Sequence, residues 1–199
     1  VLVGDNIVRK DIFRLPPRSA SFQVSKPEIL ETGIKVIDFF APFVKGRESD
    51  GAMQPVTLFY RIGGIDFGAL RRWMKANRDQ LKDAPGDAEI DGQDALAFLG
   101  LNGLVKRAMR EGEFPADAAP RILLYQLPKP GQIAVNCTRL QNIDGTSADD
   151  LTRAEIATRR QAWQIHRFLS RHVGGFEDSF ILDTGVQVGV RETRRIVGD

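Results

Sequence analysis

The residues with the clearest capacity for chemistry cluster near the C-terminal end. Arg191, Arg194 and Arg195 fall within five positions and follow a glycine-punctuated segment running from Gly185 to Gly189. Guanidinium groups so close together can grip a carboxylate or a phosphate with paired N–H donors. The alternative is a solvated basic turn in which Glu192 pairs with a neighbour. Elsewhere the reactive residue types are sparse. Cys137 is the single cysteine. It sits on the apolar side of an alternating segment, where a buried small residue is expected rather than a nucleophile. His166 and His172 are the only histidines. Six positions apart on a helix, they point about 120° away from each other and make a poor metal pair. Arg159 and Arg160 belong to the wet face of the same helix. No two glycines are separated by a single residue and no Gly-Lys pair occurs, so neither a G-x-G-x-x-G dinucleotide fingerprint nor a phosphate loop is present.

Composition narrows the class further. Hydrophobic residues make up 42% and charged residues 27%, the make-up of a folded globular chain. A formal net charge of +2 is too balanced to imply nucleic acid or an anionic membrane as partner. One cysteine cannot form an internal disulfide framework. No apolar run approaches the roughly 20 residues of a membrane span, and no secretory signal is visible, so a cytoplasmic location is expected. The chain opens on Val1 rather than Met and is expected to be processed, trimmed or partial.

The elements that must carry these side chains follow from pattern. Residues 1–28 are extended, because Pro16-Pro17 and Pro27 forbid a continuous helix. Ile29, Leu30, Ile34, Ile37 and Phe40 approach helical spacing over 28–40, against the helix-weakening Gly33. Residues 55–62 read as a strand ended by Gly63-Gly64. Asp66 is the expected N-cap of a helix over 67–82, with Phe67, Leu70, Trp73, Met74 and Leu81 on one face. A polar loop over 83–94 and a second helix over 95–111 come next. Residues 121–127 and 132–140 are two strands joined by the turn Pro128-Lys129-Pro130-Gly131. Thr152 and Glu155 form a capping box, stapled by Leu151 and Ile156, that starts a long helix over 153–173. A strand opens the remainder. The fold class is therefore α+β, an antiparallel sheet with packed helices preceded by an extended N-terminal segment.

The basic residues also change kind along the chain. Residues 1–45 hold four Lys and three Arg, whereas 46–199 hold four Lys and seventeen Arg. That shift suggests two parts of different character.

Two resemblances match those parts. Residues 27–46, PEILETGIKVIDFFAPFVKG, with the lead-in DIFRLPPRSASF, resemble the segment just before the phosphate loop in the catalytic beta subunit of rotary ATP synthases. The resemblance covers about residues 6–46 and stops before every nucleotide-contacting residue. Residues 46–199 resemble the bacterial FAD-dependent oxidoreductases, on GRESDGAMQPVTLFYRIGGID, NCTRLQNIDGTSADDLTRAE and ILDTGVQVGVRETRRIVGD. The second resemblance implies a flavoprotein cap or substrate domain, FAD as cofactor although its binding motif is absent, and a small-molecule substrate. It implies that Arg191 orients an anionic substrate, with Arg194 and Arg195 behind it and Asn136, Thr138 and Arg139 in the same cleft. Equally, these segments could serve only to close the sheet. Taken together, the chain is expected to be a chimera or partial sequence: an ATPase-like leader, 1–45, on a flavoprotein middle domain, 46–199, binding FAD weakly and inactive alone. The alternatives are an ATP synthase beta-related nucleotide-binding module and a non-catalytic interaction domain.

Overall fold

The computed structural model of the chain describes residues 43–83, 85–92 and 96–197, together with the backbone of four two-residue strands before them. Those are β1 (Gln23–Val24), β2 (Glu28–Ile29), β3 (Lys35–Val36) and β4 (Phe39–Phe40). β1 pairs antiparallel with β4, and β2 with β3. Most of the helix expected over 28–40 lies outside the described residues. The remainder of the expected extended lead-in over 1–28 lies outside the described residues. The chain divides into two compact units, one joining Val1–Lys45 to Arg194–Asp199 and the other spanning Gly46–Thr193.

In the first unit, β5 (Phe43–Val44) pairs antiparallel with β11 (Arg195–Ile196). The second unit is built on a five-stranded sheet. Its strands are β6 (Tyr60–Gly63), β7 (Ala97–Gly100), β8 (Ile122–Gln126), β9 (Ile133–Asn136) and β10 (Phe180–Thr184). The spatial order is β10-β6-β9-β8-β7, and every neighbouring pair is antiparallel. Four helices complete the unit: α1 (Phe67–Ala76), α2 (Asp87–Asp91), α3 (Asn102–Glu111) and α4 (Ala148–His172). The fold is α+β.

Strand alternation decides what the sheet buries. Tyr60, Ile62, Phe98, Ile122, Leu124, Ile133 and Val135 share one face and meet Leu70 and Met74 of α1, Val105 and Ala108 of α3, and Ile165, Phe168 and Leu169 of α4 in one continuous core. Phe168 stacks edge-on against Phe114, with centroids 5.0 Å apart. A smaller cluster of Val56, Leu58, Ile143, Ala154 and Val188 seals the start of α4.

Several element boundaries differ from the sequence expectation. α1 begins where expected, with Asp66 Oδ1 accepting from the Ala69 N–H at 2.9 Å. It ends at Ala76, and a 3₁₀ turn over Arg78–Gln80 follows. The expected loop over 83–94 contains α2. The expected helix over 95–111 splits: Ala97–Gly100 is a strand paired with β8, and the helix starts only at Asn102, after Leu101 in the left-handed region at φ 63°. Gly100 explains the switch. A Cβ there would stand 2.6 Å from the Gln80 carbonyl oxygen, so the chain passes close against residues 80–82, and the Lys82 N–H donates to the Leu99 carbonyl at 2.8 Å. The strand expected over 55–62 is regular only from Tyr60. Before it, Val56 bridges Leu140 and Thr57 bridges Gly189.

The long helix starts five residues earlier than its expected box. Ser147 is the N-cap, its Oγ accepting from the Asp150 N–H at 3.3 Å, while Asp150 reaches back to the Asp144 N–H at 2.7 Å. Thr152 is already inside the helix, where its hydroxyl donates to the Ala148 carbonyl at 2.9 Å. Glu155 pairs with Arg159 and accepts from the Val188 N–H at 2.8 Å. Ile156 stays half-exposed rather than stapling the helix start.

Candidate substrate face

The second face of the sheet is the one the helices leave open. The register places Ala97, Leu99, Leu123, Tyr125, Ala134 and Asn136 on it, each opposite or diagonal to the next across β7, β8 and β9. These side chains are half-buried or exposed, in contrast to the fully covered residues alternating with them. Arg61 of β6 lies opposite Ala134 and Asp183 of β10. Its Nε donates to Asp183 Oδ1 at 2.9 Å and its Nη2 donates to Oδ2, giving a two-pronged ion pair. The hydrogen bond from Arg61 holds the Asp183 carboxyl below the usual carboxylate range. The face is therefore an apolar floor carrying the Tyr125 and Phe180 rings, one amide and one ion pair.

Of the six residues singled out from sequence, Asn136, Thr138, Arg139 and Arg191 lie in the second unit and Arg194 and Arg195 in the first. Asn136 ends β9 on the open face. Thr138 is fully buried: its Oγ1 accepts from the Leu58 N–H at 2.6 Å and donates to the Leu58 carbonyl at 2.8 Å. Its hydroxyl is fully used in fastening the strand before β6. Arg139 is held by its main chain, which exchanges two 2.9 Å hydrogen bonds with the buried Gln161 amide of α4. Its Nε is buried without a partner. Arg191 is exposed, and it donates from Nη1 to the Pro55 carbonyl at 2.9 Å and from Nη2 to Thr57 Oγ1 at 3.3 Å. Arg191 and Thr138 thus clasp the same short segment, residues 55–58, from its two edges. Arg194 and Arg195 belong to the first unit, where the Arg194 guanidinium lies 5.4 Å from the Phe43 ring centroid.

The other reactive types have structural surroundings. Cys137 is buried, and burial pushes its thiol up to about 12. His166 is half-buried beside the Ser179 hydroxyl and carbonyl, each 3.1 Å from Nε2, and burial lowers its pKa. His172 pairs with Glu113 at 3.0 Å. The alternating phase of RILLYQL and QIAVNC holds the signal for Leu123, Tyr125, Ala134 and Asn136. Nothing in the sequence links Arg61 to Asp183, which are 122 positions apart.

A flavin dinucleotide needs its pyrophosphate held at a glycine turn between a strand and a helix N-terminus. Among the described residues, the strand that ends at two adjacent glycines and is followed by a helix is β6 into α1, and that turn is already filled. The Asp66 carboxylate caps the helix, and a Cβ on Gly64 would stand 2.9 Å from the Asp178 carbonyl oxygen. A second anion at Asp66 would be repelled. The β6–α1 turn does not fit the dinucleotide's phosphates.

A family model described as FAD dependent oxidoreductase matches residues 40–199. No curated protein and no solved structure matches the chain. No described helix is long and apolar enough to cross a membrane.

Proposed function

The chain belongs to the FAD dependent oxidoreductase family, and on that premise we propose that residues 46–193 form the substrate side of such an enzyme. In this family the flavin carries the redox chemistry, and the protein supplies binding and orientation. The observation that carries the reading is the open sheet face: an apolar floor of Leu99, Leu123 and Ala134 with Tyr125, Asn136 and the Arg61–Asp183 pair set into it. A small substrate meets such a surface through its apolar body and is oriented by a few polar groups. Asn136 is the first orienting residue, able to donate and accept on the same amide. Arg191 keeps its anion-orienting role as an anchored cation, its two main contacts fixing the guanidinium while the exposed edge stays available. Thr138 and Arg139 act by holding the segments behind the face.

With no glycine fingerprint in the sequence and the β6–α1 turn filled, the expectation is weak FAD binding and no turnover by this chain alone. The division of the chain at Lys45 and Gly46 supports treating residues 1–45 as a leader separate from the substrate domain. No comparison matches residues 6–46 to the rotary ATP synthase beta subunit, and no Gly-Lys pair follows that would make a phosphate loop.

Ligand-observed NMR against a panel of small oxidisable alcohols, amines and acids tests the assignment. Hits should be lost in Asn136→Leu and weakened in Tyr125→Ala, with the thermal midpoint retained. Hits that both variants bind as the parent does would move the substrate off this face.

A further inference from the structure

On the helical side of the second unit, away from the open sheet face, a cleft of about 520 Å³ runs between α1, α3 and the end of α4. One bank is Trp73, Asn77 and Gln80. The other is the exposed side of α3, with Gly103, Arg107 and Arg110 one turn apart in succession. Spacings of three and four positions put these three on one helix face, so both guanidiniums project along the same wall. Glycine at 103 leaves that wall bare at its upper end. His172 closes the far end, already paired with Glu113 at 3.0 Å.

No residue lining this cleft carries a carboxylate. Neither Arg107 nor Arg110 has a hydrogen-bonding or ion-pair partner among the described residues, whereas Arg61, Arg78, Arg153, Arg159 and Arg191 do. Two carboxylates beside the cleft are already engaged: Glu113 pairs with His172, and Asp79 accepts from the Gln80 amide at 2.6 Å. Two forked cations therefore face a space that already has a flat apolar wall in Trp73 and amide groups in Asn77 and Gln80. Such a set suits a small ligand with a flat body and two negative charges: guanidinium forks take carboxylate or phosphate oxygens in pairs, and the indole packs against a ring.

We propose that this cleft is a second binding site, for a small aromatic dianion, either a phosphate monoester or a dicarboxylate. It is separate from the substrate face and does not depend on the flavin reading. Phenyl phosphate and phthalate are the probes for the two sources, and benzamide is the neutral control. In a Trp163→Phe background Trp73 is the only indole left to report, and calorimetry on the full chain gives the affinity directly. At least one dianion should quench Trp73 and bind, with benzamide silent. Arg107→Gln and Arg110→Gln should each weaken that binding about tenfold, the loss of one charge-assisted contact. Both positions are exposed on a helix that glutamine tolerates, and an unchanged thermal midpoint shows that the variants fold. Binding of phenyl phosphate alone assigns a phosphate ester, and of phthalate alone a dicarboxylate. Failure of both probes at millimolar concentration, equal binding of benzamide, or unchanged affinity in the Arg107→Gln/Arg110→Gln double variant would overturn the proposal.

Discussion

Thr138 shows how a residue chosen for its polar chemistry can be committed to the fold instead. Its hydroxyl both accepts from and donates to Leu58 inside the protein. Thr138→Val keeps the shape but strands a buried N–H and a carbonyl, and should cost about 1–3 kcal/mol in urea unfolding. Tyr60 is the converse case. Its ring is in the core, and its hydroxyl is buried with no partner. Tyr60→Phe removes an unsatisfied polar atom at almost no change in volume and should raise stability by about 1 kcal/mol in the same assay. Cys137 was legible as a buried residue from its place in the QIAVNC alternation. Its thiol is pushed up to about 12 from an ordinary 9.0. Below the unfolded value both states are neutral and the thiol contributes no pH dependence. As pH rises through 9.0 the unfolded thiol ionises while the folded one does not, so stability falls with increasing pH between 9.0 and about 12. Iodoacetamide should accordingly label Cys137 only when the protein unfolds. Rapid labelling of the native protein at neutral pH would contradict its burial.

At the scale of elements, local pattern was reliable where contacts are local. The Asp66 cap, the apolar stripe of α1 and the β8–β9 hairpin over its Pro-Lys-Pro-Gly turn all follow from neighbouring residues. The pattern failed where a distant segment decides. Residues 97–100 satisfy helical spacing, yet the approach of residues 80–82 to Gly100 and the free edge of β8 make them a strand. The start of α4 failed for another reason: two box patterns follow one another, Ser147 with Asp150 and Thr152 with Glu155. Ser147 with Asp150 wins because Asp150 also satisfies the Asp144 N–H, whereas Glu155 is drawn away to Val188 and Arg159. Ser147→Ala should therefore destabilise by about 1 kcal/mol. Thr152→Ala, the residue the sequence pattern favoured, should change stability by less than about 0.5 kcal/mol. Equal losses in thermal unfolding would show that the first turn is shared between the two boxes.

For the whole molecule, the α+β class and the family were readable from strand alternation, helix periodicity and three characteristic segments in order. The candidate site was only partly readable. Asn136 lies on the open sheet face, but Arg61, Asp183 and Tyr125 join it through strand pairings between distant parts of the chain. The arginine-rich turn spreads instead over two units, with Arg191 in one and Arg194 and Arg195 in the other. The central claim is that this antiparallel unit supplies a substrate face without a cradle for the dinucleotide phosphates. The most direct measurement is an FAD titration of the purified chain, followed by calorimetry and by the flavin's visible absorbance after gel filtration. We expect no flavin to travel with the protein and only weak, unsaturated binding. A stoichiometric yellow complex that survives gel filtration would contradict the claim and place the dinucleotide within this chain.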